Sequence, residues 1–332
     1  MSEARRLPFG SWPSPLRIEG LVEGVVGVGE PSLDGDDVYW LEGRPANGGR
    51  QTLVRLRGGI SDGTGAPEDL TPPETNVRDR VHEYGGAPYT VAGGVAWYSD
   101  FADTRLWRRD PDGSRKPITP VGPWRYADPV YDAARDRIVC VREDHTVDEP
   151  TRVVNELVAI PAGGGDPVVL VSGADFYANP RLSPDGSRLA WIEWQHPNLP
   201  WDETSLLVGR LGADGSLVER VRVAGEPGES VIQPRWSPDG ELFVVAERSG
   251  WWNLYRHRAG KNEPVLEMEA EFGAPQWNFG ASTYAFLDDA PLEERRAPVG
   301  RHSEASGMDA FRCATNSFSA SSIPGSIGGR SY

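Results

Sequence analysis

The clearest pattern along the chain is an alternation of short apolar runs with tight turns. The sequence "RLSPDGSRLAWIEW" begins at Arg181, and "RWSPDGELFVVAER" repeats its order of polar and apolar positions from Arg235. In both copies Ser-Pro-Asp-Gly precedes a run of β-formers, where proline presets φ and glycine supplies the positive φ of a hairpin turn. The pattern therefore predicts two antiparallel strands joined by a turn at each place.

Weaker copies of this unit occur along most of the chain. They begin at Leu33 ("LDGDDVYWLEG"), Val91 ("VAGGVAWYSD"), Tyr131 ("YDAARDRIVCVRED") and Trp277 ("WNFGASTYAFLDD"). A further strand and a second turn follow every copy except the one at Trp277. The copies are spaced by about 40 to 60 residues, close to the spacing of four-stranded propeller blades. Because stacking around an axis covers both faces of such sheets, we predict an all-β fold: an incomplete TolB-like β-propeller with about five full blades and a partial sixth.

The same pattern divides the chain into three parts. Residues 1–17 are predicted to be an N-terminal extension, 18–289 the incomplete propeller, and 290–332 a disordered or foreign tail. The tail contains none of the 12 Trp and no strand-turn-strand order. Such a change of composition in the middle of a blade is not a normal domain boundary. We expect it to reflect a shifted or wrongly terminated reading frame.

Composition and charge narrow the class of partner. The 39 Gly, 29 Pro and 12 Trp favour many turns with large aromatics between them. A net charge of −15 disfavours nucleic acid and anionic membranes as partners. Cys140 and Cys313 are too few for a disulfide framework. No apolar run has the length of a membrane-spanning helix or of a signal-peptide core, so we predict a cytoplasmic protein.

Catalytic and metal-binding motifs are not found in the sequence. The nearest match to G-x-S-x-G is Gly280-Ala-Ser282-Thr-Tyr284, which aligns with the first strand of a predicted blade and is interpreted as structural. The five His are scattered and have no metal-ligand spacing. We therefore predict no catalytic residue, no metal ligand and no cofactor in this chain.

Four loop clusters combine aromatic and charged side chains, the kind of surface that orients a small peptide. They span residues 80–89, 196–204, 248–255 and 268–277. Packing between blades is the alternative role for each aromatic. Three carboxylates in these clusters are candidates to hold a substrate's amino terminus; they belong to Glu83, Glu269 and Glu271. The full set of candidate substrate-binding residues is Arg80, His82, Glu83, Tyr84, Trp201, Asp202, Trp251, Trp252, Glu269 and Glu271.

The order of the motifs resembles a known family. The chain contains, in this order, "SWPSP", "DGDDVYWLEGRP", "VHEYGGAPY", "FADTRLWR", "VREDH", "LSPDGSRLAWIEWQHPNLPWD", "WSPDGELFVV", "RSGWWNLY" and "MEAEFGAPQW". Over roughly residues 10–289 this series is similar to the N-terminal half of bacterial prolyl oligopeptidase-family (S9) serine peptidases. Within that family it looks most like the acylaminoacyl peptidase/dipeptidyl aminopeptidase group.

The resemblance implies separate roles for two domains. In this family an N-terminal propeller, commonly of seven blades, covers an α/β-hydrolase domain that carries Ser, Asp and His. The propeller restricts substrates to short peptides. No position of this chain matches the triad, so we expect the non-catalytic propeller portion, truncated before the hydrolase domain and inactive alone. Its partners would be short peptides and the α/β-hydrolase domain.

Two other interpretations of the sequence stay open. A stand-alone TolB-like propeller that binds a protein or peptide partner has the same strand and turn pattern. A lactonase-type propeller enzyme would need carboxylate and Asn ligands around a metal ion in the central channel.

Overall fold

The computed structural model describes residues 24–59, 65–147, 149–286 and the backbone of 311–313, with single positions at 8, 11 and 20. Most of the predicted N-terminal extension and most of the predicted tail lie outside these residues, so both stay predictions. Among the residues that the structure describes, no helix combines the length and the apolar character needed to cross a bilayer.

Five four-stranded antiparallel sheets make up the fold, and in each the strands pair in sequence order. The predicted fold of about five full propeller blades is therefore confirmed. Blade 1 contains β1 (Gly27–Asp34), β2 (Asp37–Arg44), β3 (Arg50–Leu56) and β4 (Glu68–Asp69); blade 2 contains β5 (Tyr89–Ala92), β6 (Val95–Ser99), β7 (Leu106–Arg109) and β8 (Arg115–Pro117); blade 3 contains β9 (Trp124–Asp132), β10 (Arg137–Asp144), β11 (Val154–Pro161) and β12 (Val168–Val171); blade 4 contains β13 (Phe176–Leu182), β14 (Arg188–Trp194), β15 (Ser205–Leu211) and β16 (Leu217–Ala224); blade 5 contains β17 (Val231–Trp236), β18 (Leu242–Ala246), β19 (Asn253–Arg258) and β20 (Lys261–Leu266).

A two-stranded sheet lies where the partial sixth blade was predicted. It pairs β21 (Tyr284–Phe286) with β22 (Phe311–Cys313), a short strand within the predicted tail. Ser282, the serine of the near match to G-x-S-x-G, lies just before β21 and donates to the Tyr284 carbonyl at 2.8 Å. This serine therefore precedes a β-strand, as its alignment with a blade predicted.

The Ser-Pro-Asp-Gly sequences form the expected turns. Gly186 N donates to Ser183 O at 2.8 Å, and Gly240 N donates to Ser237 O at 2.9 Å. Both glycines have positive φ, 67° and 85°, a conformation that other residues adopt only with strain. Each turn joins the first two strands of its blade, β13 to β14 and β17 to β18.

The innermost strand region of every blade carries one residue with positive φ directly before a proline. In blades 1, 3, 4 and 5 it interrupts the register between the first two strands as a β-bulge, and in blade 2 it lies just before β5. A proline fits at a bulge because it has no N–H to leave unpaired. The five residues are Glu30, Ala87, Asp128, Asn179 and Gln233.

Hydrogen bonds connect these positions from blade to blade. Asp128 N donates to Ala87 O at 3.1 Å, and Asn179 N donates to the Asp128 carboxylate at 3.0 Å. The Gln233 side chain accepts from Thr283 N at 2.8 Å, next to β21. Burial raises the pKa of Glu30 to about 7, and the nearby Asp128 carboxylate adds to the effect. The inner strands of blades 2, 3 and 4, and that of blade 5 with the residues before β21, are therefore linked as a bonded series around the axis.

Apolar layers between neighbouring blades provide most of the burial. One layer separates blades 1 and 2, with Tyr39, Leu53 and Tyr98 fully buried. The next separates blades 2 and 3, and the largest joins blades 3, 4 and 5 around Trp191. Burying side chains of this size is worth about 2 kcal/mol each. Each sheet therefore depends on its neighbours for stability.

We expect the substitution Asp128→Ala to lower the free energy of unfolding by about 3 kcal/mol. Asp128 is 2% exposed and holds both Asn179 N and Arg181 Nη1, the latter at 2.7 Å. Its removal leaves the buried Asn179 N–H without this acceptor and leaves Arg181 Nη1 with the Pro180 carbonyl instead of a carboxylate. Urea unfolding followed by circular dichroism measures the change. The exposed Asp166→Ala is the control, with an expected change below about 0.5 kcal/mol; equal losses for the two variants would contradict the role of Asp128.

Candidate functional site

A cavity of about 580 Å³ opens at one end of the propeller. Two kinds of segment meet at this end of the blades: the segments that lead into first strands, and the loops that join second strands to third strands. Residues 82–84, which lead into blade 2, form one side, and residues 276–279, which follow blade 5, form another. Blades 3 and 4 supply most of the remaining lining. The cavity therefore combines segments that are far apart in the sequence.

The "HEYGG" turn places the first of these segments. Gly85 and Gly86 have φ of 70° and 112°. A Cβ at Gly85 would lie 2.4 Å from Asp79 O, and one at Gly86 would lie 2.6 Å from Phe279 O. The Asp79 carboxylate fixes the turn by accepting from Val81 N at 3.0 Å and from Gly86 N at 3.2 Å. Only glycine therefore permits this close approach of backbones.

The segment after blade 5 is attached to this turn. Phe279 N donates to Gly85 O at 2.9 Å, and Gly86 and Phe279 form a parallel β-bridge. Asn278 Nδ2 donates to Tyr84 O at 3.3 Å. These contacts hold residues 276–279 beside the connection into blade 2. The two segments together form the part of the cavity wall that blades 3 and 4 do not supply.

Aromatic rings line the inner part of the cavity. The His82 ring lies 5.1 Å from Phe176, 5.4 Å from Trp194 and 4.9 Å from Phe279, measured between ring centroids. Phe176 and Trp194 are stacked, with an interplanar angle of 16°. Contacts of this geometry stabilise aromatic pairs beyond their buried area. These rings form the apolar part of the cavity wall.

Three further rings lie at the mouth. Trp277 contacts Tyr84 at 5.3 Å in a T-shaped arrangement and Trp201 at 4.5 Å. Tyr84 and Trp277 remain 55% and 53% exposed. Exposed aromatic clusters of this kind are typical of binding surfaces.

One buried carboxylate organises the polar side of the cavity. Glu143 is 5% exposed; it accepts from His82 N at 2.7 Å and lies 3.0 Å from His145 Nε2. Arg125 Nη1 lies 3.5 Å from Glu143 and 3.1 Å from Glu83. The same guanidinium donates to Arg80 O at 3.2 Å. Arg125, which lies on blade 3, therefore ties the segment that leads into blade 2 to blade 3. Its positive charge lies between the two carboxylates of Glu83 and Glu143 at the cavity wall.

Burial lowers the pKa of His82 to about 4, although Glu143 and Asn155 act in the opposite direction. The imidazole is therefore neutral at physiological pH. A neutral ring suits the apolar contacts that it makes with its three aromatic neighbours.

Four of the ten candidate residues line this cavity: His82, Glu83, Tyr84 and Trp201. Arg80 contributes its carbonyl to Arg125, while its guanidinium lies 5.4 Å from the Phe101 ring. Asp202 accepts from Leu199 N at 2.8 Å and so fixes the loop that carries Trp201.

The other four candidates do not line the cavity. Trp251 is 38% exposed, whereas Trp252 is 8% exposed and packs between blade 5 and β21. Glu271 accepts from Trp252 N at 2.8 Å. Glu269 is exposed. The carboxylates of Glu83, Glu269 and Glu271 therefore do not line one common site.

Several lining residues were not among the candidates. They lie at the first positions of inner or third strands or at the last positions of second strands, all of which share one end of the blade. The position of a residue within the repeated blade was therefore the signal in the sequence that could have found them. It places "REDH" and "WQH" at the same end of the propeller as "HEYGG". The main additions are Arg125, Glu143, Asn155, Phe176 and Trp194.

The low pKa of His82 predicts a specific dependence of stability on pH. The imidazole of the unfolded chain takes up a proton below about pH 6.5, whereas the folded protein does so only near pH 4. Its contribution to stability is therefore lost between these values as pH falls, by about 3 kcal/mol. His82→Asn keeps a residue that tolerates φ of 52° and removes this titration. Urea unfolding at pH 7.5 and 4.5 should show a smaller pH-dependent loss for the variant; equal losses would exclude this role of His82.

Comparison with known proteins points to one family. No protein-family profile and no curated protein sequence matches the chain. Among solved structures, puromycin hydrolase superposes with a TM-score of 0.75 at 35% identity, covering 85% of this chain and 45% of that one. A Mycobacterium tuberculosis puromycin-hydrolyzing peptidase gives a TM-score of 0.74 at 36% identity, with coverages of 85% and 45%.

More distant similarities concern the fold alone. A prolyl oligopeptidase from Galerina marginata has a TM-score of 0.52 at 11% identity and is covered over 40% of its length by 76% of this chain. The chain thus spans less than half the length of the peptidases that it matches. The fold, the level of identity and the coverage all correspond to a peptidase propeller. The chain corresponds to the β-propeller portion of serine peptidases of the prolyl oligopeptidase (S9) family.

Proposed function

We propose that this chain binds short peptides in the cavity at the end of the propeller and positions them for hydrolysis by a serine peptidase domain. The observation that carries the proposal is the aromatic-lined cavity at the end of the blades. In this proposal the propeller contributes selection and orientation of the substrate. Bond cleavage belongs to an α/β-hydrolase domain of the S9 type.

The size of the cavity supports a short substrate. Its volume of about 580 Å³ falls within the range of roughly 300–1,000 Å³ that is usual for small-molecule sites. A peptide of a few residues fits such a space, whereas a folded protein does not. The bonded series of inner strands and the "HEYGG" turn fix the walls, so selection by size follows from the fold.

The chemistry of the walls supports a peptide. Stacked rings at Phe176 and Trp194 provide a surface for apolar side chains. Glu83 and Arg125 place opposite charges near the mouth. A peptide presents apolar side chains together with both kinds of polar group, and a site that pairs rings with fixed polar groups binds it in a defined orientation.

The related structures support the reaction class. The two peptidases of 35% and 36% identity are, by name, hydrolases of puromycin. In the S9 family the acyl group is transferred to serine and then to water. We propose that the same reaction is served by this propeller. The protein acts in the cytoplasm in this proposal, in keeping with the free thiol of Cys140 in the core.

We expect Trp277→Ala to weaken the binding of a short aromatic peptide to the purified chain by about tenfold. Trp277 joins Tyr84 and Trp201 at the mouth, so its removal takes away the centre of that cluster. Isothermal titration calorimetry measures the dissociation constant without relying on tryptophan fluorescence.

Trp251→Ala is the matched comparison, since Trp251 is an exposed tryptophan that does not line the cavity. Its affinity should equal that of the unmodified chain. Loss of binding in Trp251→Ala but not in Trp277→Ala would move the peptide site to the loop before β19. Absence of peptide binding in the unmodified chain would overturn the proposal.

A further inference from the structure

Two neighbouring arginines beside the cavity have no carboxylate partner. Arg78 and Arg80, here called the arginine pair, lie on the segment that leads into blade 2, and both residues are exposed. Neither guanidinium forms an ion pair or donates a hydrogen bond among the residues that the structure describes. The chain has 49 acidic residues against 34 Lys and Arg, so carboxylates outnumber cations in it as a whole. The arginine pair is therefore available to an anion that comes from outside the chain.

The backbone directs both side chains of the pair to the same face. Along residues 77–81 the first, third and fifth residues are buried, whereas Arg78 and Arg80 between them are exposed. Such alternation is typical of an extended chain, in which successive side chains point to opposite sides. Arg78 N donates to Ser99 O at 3.2 Å, which holds this segment beside the end of β6. The two guanidinium groups are thus presented together by a fixed piece of backbone.

An aromatic ring positions both guanidinium groups. The centroid of the Phe101 ring lies 5.3 Å from Arg78 Cζ and 5.4 Å from Arg80 Cζ. Contact with a ring orients a guanidinium but does not neutralise its charge or use its N–H donors. The three side chains and Arg125 line a shallow depression of about 10 Å³. An anion bound here would therefore lie on the surface, against the outer edges of the guanidinium groups.

The charges of the cavity place a carboxylate outside it. The lining carries the carboxylates of Glu83, Glu143 and Asp175 against the one guanidinium of Arg125. Arg125 Nη1 already lies 3.1 Å from Glu83 and 3.5 Å from Glu143. A further carboxylate inside the cavity would be repelled by these groups at short range. Because Arg125 lines both the cavity and the depression, the arginine pair adjoins the cavity and offers the positive charge that the cavity lacks.

We infer that the arginine pair is a subsite for the C-terminal carboxylate of a short peptide whose other residues lie in the cavity. The inference rests on the proposed function, since it names the end of the bound peptide that lies outside the cavity. Guanidinium N–H groups match a carboxylate through two parallel hydrogen bonds. An extended peptide spans about 3.3–3.6 Å per residue, so the length of the peptide decides whether its carboxylate reaches the pair.

The test compares peptides that end in a free carboxylate with the same peptides ending in an amide. The ligands are alanine peptides of three, four and five residues, each with phenylalanine at the second position for the aromatic wall. Calorimetric titration of the full chain should show, for at least one length, about fivefold tighter binding of the acid than of the amide. Raising the salt concentration to about 0.5 M should move this ratio toward one, because exposed charges are screened.

Two double variants of equal net charge assign the effect. Arg78→Gln combined with Arg80→Gln removes both guanidinium groups, so the acid and the amide should bind with equal affinity. The affinity for the amide should stay that of the unmodified chain, because neither arginine lines the cavity. Arg57→Gln combined with Arg210→Gln is the control, since both of these exposed arginines lie outside the cavity and the depression. In the control the preference for the acid should remain.

The outcomes separate this inference from the proposed function. Equal binding of acid and amide at every length overturns the inference but leaves the cavity as a peptide site. A preference for the acid that persists without the arginine pair, in a variant that circular dichroism shows to be folded, also overturns it. If the double variant does not fold, Arg78→Gln and Arg80→Gln are tested singly, and at least one must lower the ratio. No binding of any peptide overturns both proposals.

Discussion

The bonded series of inner strands is the constraint on which the rest of the structure depends. Each blade alone is a sheet with two apolar faces, and only its neighbours can cover them. The bulges at Glu30, Asp128, Asn179 and Gln233 bend the inner strands. Backbone and side-chain contacts such as Asn179 N to Asp128 then set the spacing between blades. The apolar layers follow from that spacing.

The cavity is a consequence of this arrangement rather than of any single motif. Because all blades run in the same direction, the starts of their first strands and the ends of their second strands gather at one end. Phe176 and Trp194 occupy such positions in blade 4, and Arg125 and Glu143 do so in blade 3. These residues meet because equivalent positions of successive blades lie at the same end of the propeller. The side chains at those positions differ from one blade to the next.

The fold could be predicted from the sequence because its signals are local. The turn at Ser237–Gly240 and the strand Leu242–Ala246 that follows it are determined by neighbouring residues. The site could be predicted only in part, since His82 and Tyr84 belong to a conspicuous aromatic loop. Asn155 and Glu143 could not be found in the same way, because the blade register places them only at one end of a strand, and the cavity that they line forms only when the blades pack together.

The attachment of residues 276–279 to the "HEYGG" turn has a consequence for synthesis of the protein. Asn278 and Tyr84 are 194 residues apart in the sequence, and contacts of such separation form late because the loop between them must first be ordered. On the ribosome, blades 1 to 4 emerge before the segment that encloses the cavity exists. The nascent chain can thus order its blades one after another, whereas the cavity is completed only in a single late step.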